Sequence, residues 1–319
     1  MIKPINGTWF EFQHPHLAEG KYWNPVCRSF SAEQWKEKVR EIASLGMKYI
    51  VLGCASIVYE EYAESYFDSG IYPQPEDFGC DDPMGAMLMA ADECGNDVFI
   101  SVGIYGVWTR PHINMTNPEV TKRAFQAMTA FCEKYSHHKS FYGWYYPDET
   151  CVAPYFDEQF IDYVNRYSAF AKTLVKGKKT LIAPYGTCLL KADDKYVTQL
   201  TGLDVDFIAY QDEVGVRKAT PDQTGIYYEA LRKAHDRADR AKLWADVELF
   251  DFEGDVYKSA LIPAKIERIK KQLESVSPYV DEVLAYQYIG MMNKPGTTAY
   301  CGHPDSEMLY GHYEELIKS

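Results

Sequence analysis

Eight short apolar runs alternate with longer stretches of helical period along this chain, and that alternation restricts its fold more than any other feature. The strand-like runs lie at 8–13, 49–53, 98–103, 142–146, 180–183, 207–211, 243–248 and 283–288, and a helix candidate follows each. Alternating βα units build parallel sheets, and eight of them in 319 residues, roughly 40 residues per unit, predict a closed (β/α)8 (TIM) barrel. An open doubly wound sheet is the competing α/β fold. It is disfavoured because no G-x-G-x-x-G follows the first run and no G-x-x-x-x-G-K-[ST] occurs anywhere, so the usual nucleotide cradles are missing. No repeat, low-complexity tract or linker divides the chain, which predicts a single domain over 1–319.

Several helices announce their starts. Ser31 opens Ser-Ala-Glu-Gln, a capping-box pattern, ahead of Trp35, Val39, Ile42 and Ala43 on one face. Asn117-Pro118 places an N-cap and a first-turn proline before Val120, Ala124, Ala127, Met128 and Phe131. Helical period continues at 160–175, 227–238 and 262–276, and is weaker after the second, fifth and eighth strands. The connections after strands one (14–30) and two (54–82) are long and rich in aromatic residues. Loops that follow barrel strands lie on the C-terminal face, where barrel enzymes keep their active sites. Within 54–82, the stretch 58–66 is expected to be helical and to form a packed lid.

Two strand ends carry carboxylates. In 243–248, alternation sets Leu243, Ala245 and Val247 toward the helices and directs Trp244, Asp246 and Glu248 into the barrel, with Glu248 nearest its mouth. A charge inside a barrel is costly unless it is paired, so two acids on one inner face suggest chemistry. The fourth strand runs into Tyr146-Pro147-Asp148-Glu149, where the proline limits further pairing and leaves both acids at the mouth. Two carboxylates at two strand ends suggest acid/base chemistry.

Those positions resemble the large (β/α)8 clan of retaining glycosidases that includes cellulases and β-galactosidases. In that clan the acid/base Glu ends strand four and the nucleophile Glu ends strand seven, which implies Glu149 and Glu248 here. The Trp-Tyr-x-Pro-Asp-Glu stretch at 144–149 is similar to that of a bacterial glycosidase-like barrel family filed as a domain of unknown function. One position departs from the clan, which usually has Asn where this chain has Asp148. An ionised Asp accepts a hydrogen bond from a sugar hydroxyl but donates none, and its charge raises a neighbouring carboxyl, as a general acid requires.

Further polar and aromatic residues at strand ends suit a sugar site. Glu11, Gln13 and His14 close the first strand, Gln211 and Glu213 the sixth, and Gln287 lies in the eighth. Asp148, Asp246 and Gln211 are expected to orient hydroxyls. Tyr105, Trp108, Tyr185 and Tyr288 offer flat faces on which pyranose rings stack. The pair His14 and His16 resembles the first metal ligands of amidohydrolase barrels, which keeps a metal-dependent hydrolase or isomerase as one alternative; strands five and six, however, end without histidine. A catalytically silent sugar-binding barrel and a scaffold are the others. His137-His138 falls on the opposite face and is expected to be solvated.

Composition narrows the partners. A formal charge of -13, from 46 acidic and 33 basic residues, disfavours nucleic acid and anionic membranes and leaves a neutral or cationic ligand, here a carbohydrate, with no cofactor required. Eight cysteines without C-x-x-C spacing predict reduced, mostly buried thiols. The N-terminus shows no apolar leader, which fits the cytoplasm, or export if a leader precedes Met1.

Overall fold

In a computed structural model, which describes residues 2–318, the eight strand-like runs close into one barrel. Its strands are β1 (Gly7–Phe10), β2 (Tyr49–Leu52), β3 (Asp97–Ser101), β4 (Phe141–Tyr145), β5 (Lys179–Ile182), β6 (Phe207–Gln211), β7 (Lys242–Glu248) and β8 (Glu282–Tyr286). Each pairs in parallel with its neighbours in sequence, and β8 returns to β1 through Gly7 opposite Leu284. The outer layer is α1 (Ala32–Ser44), α2 (Pro83–Cys94), α3 (Pro118–Tyr135), α4 (Glu158–Leu174), α5 (Asp194–Gly202), α6 (Pro221–Ala238), α7 (Ile266–Val276) and α8 (Ser306–Lys318). Among the described residues no helix is long and apolar enough to cross a membrane.

The expected caps form. Ser31 accepts from the Gln34 backbone while the Gln34 side chain accepts from Ser31, and Asn117 accepts from Glu119 ahead of Pro118. Helix α2, which local period marks weakly, is buried around most of its surface and so lacks a polar stripe to read.

Inward-facing side chains fill the barrel with aromatic rings. Tyr49, Phe99, Phe207 and Trp244 pack together, with Phe207 stacked on Trp244 at 4.2 Å and Tyr49 at 4.9 Å from it. This apolar plug makes the barrel a closed core below the residues that continue β7 upward. Asp246 and Glu248 stand above Trp244 on the same face, while Leu243, Ala245 and Val247 pack against the helices, as alternation predicts.

Two connections differ from expectation. The stretch 58–66 is not a helix: Ser56–Val58 and Ala63–Ser65 form a two-stranded hairpin. The loop after β3 pairs with its first strand, Ile104 donating to the Ser56 carbonyl at 3.1 Å and Trp108 to that of Val58 at 2.9 Å, so tertiary backbone pairing overrides a helix-compatible pattern. After β7, Phe250–Phe252 pairs with Leu261–Pro263, and α7 begins only at Ile266 instead of at 262. On the opposite face His137 is exposed as expected, but His138 is buried with Nδ1 2.8 Å from Asp92. The thiols are all free; Cys27, Cys54, Cys80 and Cys301 are buried and Cys94 is exposed.

Candidate active site

At the C-terminal mouth of the barrel lies a cavity of about 570 Å³. Glu11, Asp148, Glu149, Gln211, Asp246, Glu248, Trp108 and Tyr185, all singled out from the sequence, line it together. It is also walled by Trp9, Tyr145, Phe250, Tyr257 and Tyr286, so its carboxyls face one aromatic cleft.

Glu149 is held where the chain leaves β4. Its Oε1 accepts from the Tyr145 hydroxyl at 3.2 Å and its Oε2 from the Gln211 amide at 3.0 Å. The loop is anchored by exchange with the connection after β5: Val152 donates to Tyr185 and Tyr185 to Thr150. Burial pushes the Glu149 carboxyl up to about 7, against the opposing pull of those two donors. Beside it Asp148 accepts from Asn114 at 3.2 Å, and burial, with the Glu149 charge adding to it, lifts Asp148 to about 7 as well.

Glu248 ends β7 and its backbone is clamped from two sides. Its N–H donates to Asp212 at 3.3 Å, and its carbonyl accepts from Arg268 at 2.8 Å and Gln272 at 3.2 Å, both on α7. Asp212 in turn accepts from Gln272 at 2.7 Å. The Glu248 carboxylate receives one backbone donor, Val216 N–H at 2.9 Å, from a loop that passes close because residue 215 is glycine. A Cβ there would lie 2.9 Å from Glu248 Oε2 and 2.7 Å from the Phe250 carbonyl. Burial first, and then the neighbouring Asp212 charge, raise Glu248 to about 8.

Asp246 lies deeper on the same strand, buried, with Oδ1 lacking any hydrogen-bond partner. Burial and the charges of Glu248, Asp212 and Glu149 hold its carboxyl well above the usual range.

On the β1 side, Glu11 is fully engaged. Its Oε1 accepts from Trp23 at 2.9 Å, Gln287 at 2.8 Å and His14 at 2.9 Å. His14 also reaches Glu19 at 3.2 Å, and the Tyr286 hydroxyl lies 3.2 Å from its Nδ1. Burial alone would lower this imidazole, but the Glu11 and Glu19 carboxylates outweigh it and raise His14 to about 10, so it is a cation bridging two acids. His16 turns to Glu19, 3.8 Å away, and meets Trp108 edge to face. Among the described residues no group of three or more His, Cys, Asp or Glu is arranged to hold a metal ion.

Several expected residues, Glu213 among them, are not on the cavity wall. His14 and Gln287 stand behind it, supporting Glu11, and Gln13 is buried with Oε1 unpartnered. Tyr288 points the other way: past the end of β8 it packs in the helix-facing core and donates to Glu41 at 2.7 Å. Tyr105 is likewise buried, stacked on Tyr72, and offers no open face. The residues sequence reasoning missed are mostly supports. Asn114, Asp212, Arg268 and Gln272 come from other loops or helices, and only three-dimensional proximity identifies them. Tyr145, by contrast, was signalled, since alternation along β4 places it inward beneath Glu149.

Solved structures share this barrel. A Bacteroides thetaiotaomicron VPI-5482 protein provisionally assigned as an alpha-L-fucosidase matches 99% of the chain and 94% of its own, with a TM-score of 0.76 at 16% identity. The endo-1,4-beta-mannanase of Rhizomucor miehei matches with a TM-score of 0.60 at 10% identity, covering 99% of this chain and 96% of that one. For a beta-galactosidase from Halorubrum lacusprofundi the TM-score is 0.62 at 10% identity; 98% of this chain is covered but only 57% of that larger one. At such identities the likeness is one of fold, that of a glycoside hydrolase-like barrel. No curated protein matches the chain. A family model described as Domain of unknown function (DUF4434) covers residues 5–299, and the chain belongs to that family.

Proposed function

We propose that this protein is a glycoside hydrolase in which Glu149 is the general acid/base and Glu248 the nucleophile. One observation carries the proposal: two carboxyls at the ends of β4 and β7 open onto a single aromatic cleft, and burial has shifted both toward neutral pH. Glu149, held by Tyr145 and Gln211, protonates the departing oxygen, while Glu248 attacks the anomeric carbon. Water activated by Glu149 then releases the sugar. Trp108, Tyr185 and Tyr257 supply stacking faces.

The test is a panel of aryl glycosides and oligosaccharides scored for released phenol and reducing ends. Wild-type protein is expected to cleave at least one member. Glu149→Gln and Glu248→Gln, folded by circular dichroism, are expected to lose about 10³-fold or more with natural leaving groups. Full activity in either variant overturns its assigned role, and binding of sugars by wild-type protein without release marks a binding barrel instead.

A further inference from the structure

Around its acids the cavity has few free donors and little positive charge. Deep in its wall, the Tyr145 hydroxyl is spent on Glu149, and the Gln211 amide is spent on Glu149 and on the Ala183 carbonyl at 3.2 Å. Among the described residues Lys218 is the one cation on the wall; its side chain is 42% exposed, 3.5 Å from Glu213 and 5.3 Å from the Tyr185 ring. Among the described residues no arginine or histidine lines the cavity. The His14 cation stands behind the wall and is matched by Glu11 and Glu19. Against this, four carboxyls, Asp148, Glu149, Asp246 and Glu248, face the space without a cationic partner.

Asp246 is the most exposed to this imbalance. It is 2% accessible, forms part of the cavity wall, and has an oxygen with no partner at all. A neutral sugar is usually held by donors and acceptors in balance, whereas the part of the wall around Asp246, which offers mainly carboxyl oxygens, suits a ligand that brings donors and charge there. An ammonium brings three donors and one positive charge. A uronic acid or sulfated sugar would meet four acids and no arginine. A divalent metal would need several ligands set around one point, and none are so arranged among the described residues.

We propose that the sugar held in this cavity carries a free amino group, and that Asp246 pairs with its ammonium. The proposal rests on the carbohydrate reading of the same site and narrows its substrate to deacetylated amino sugars. The ammonium would also favour ionisation of the neighbouring Glu248, whose nearby cation, Arg268, bonds its backbone carbonyl and only partly offsets burial and the Asp212 charge.

Isothermal titration of the wild-type protein tests this with matched probes of gluco and galacto configuration. Each set holds the 2-amino-2-deoxy sugar, its N-acetyl derivative and the neutral parent, as monosaccharides and as β-1,4-linked tetramers. At least one amino sugar is expected to bind tenfold or more tighter than its N-acetyl and neutral counterparts. Asp246→Asn is expected to remove that preference while still binding the sugar. Equal or tighter binding of neutral or acetylated probes, or no binding by any amino sugar, overturns the proposal. So does an amine preference that survives in Asp246→Asn. If that variant fails to fold, the wild-type comparison alone decides. Preference for the amine without cleavage would sink the hydrolase reading and leave this one standing; cleavage of neutral glycosides without preference would do the reverse.

Discussion

Glu149 and Glu248 are raised to about 7 and about 8, so the proton of the singly protonated pair rests mainly on Glu248; the form the mechanism needs, Glu149 protonated and Glu248 ionised, is the minor one, and its population follows the same pH dependence. Below about pH 7 both hold protons; above about pH 8 both have lost them. The kcat/KM profile should therefore rise through about pH 7, peak between the two values and fall above about pH 8. An optimum near pH 5 with decline before neutrality would contradict this electrostatic picture. Asp246 follows the same sign. Its folded-state carboxyl titrates above its unfolded value, so the folded protein is fully favoured below about pH 4 and loses that advantage as pH rises. Asp246→Asn should raise the unfolding free energy read from urea curves at pH 8 by about 0.5–2 kcal/mol, and the gain should shrink toward pH 4. No difference between the two pH values would mean that Asp246 is not strained.

At the scale of elements, the chain separates what builds the barrel from what aims the site. Replacing Gln272 on α7 with Leu leaves a buried Asp212 oxygen without its donor and loosens the end of β7. The expected cost is about 1–3 kcal/mol of stability together with reduced turnover. Ser31→Ala removes the α1 capping box, far from the cavity, and should cost about 1 kcal/mol with kcat unchanged. Denaturant curves paired with kinetics distinguish the two cases. The same division explains what could be read in advance. Barrel strands are short apolar runs buried on both faces, and the caps at Ser31 and Asn117 are local patterns, so both are visible in the sequence. The hairpin at 56–65 escapes a local reading because its first strand also pairs with backbone at Ile104 and Trp108, about fifty residues on. The expected strand at 283–288 overshoots β8, which ends at Tyr286, so Tyr288 falls beyond it and packs among the helices. Asp212, Arg268 and Gln272 could not be found because their role is to hold Glu248, a relation with no local signature.

For the molecule as a whole, one face is sealed and the other open. Aromatic rings around Trp244 close the barrel below, while the carboxyls gather above it at the mouth, and the connection after β3 brings Trp108 to the cavity wall. The account stands or falls on whether those carboxyls do covalent chemistry. The most direct measurement uses Glu149→Gln with an activated aryl glycoside that wild-type protein cleaves, chosen so that departure of the phenolate needs no acid. Phenolate release and the mass of the peptide bearing Glu248 are followed together. The account predicts a burst of one phenolate per protein molecule and a glycosyl adduct on Glu248. An adduct on another residue, or steady turnover with none on Glu248, would contradict it.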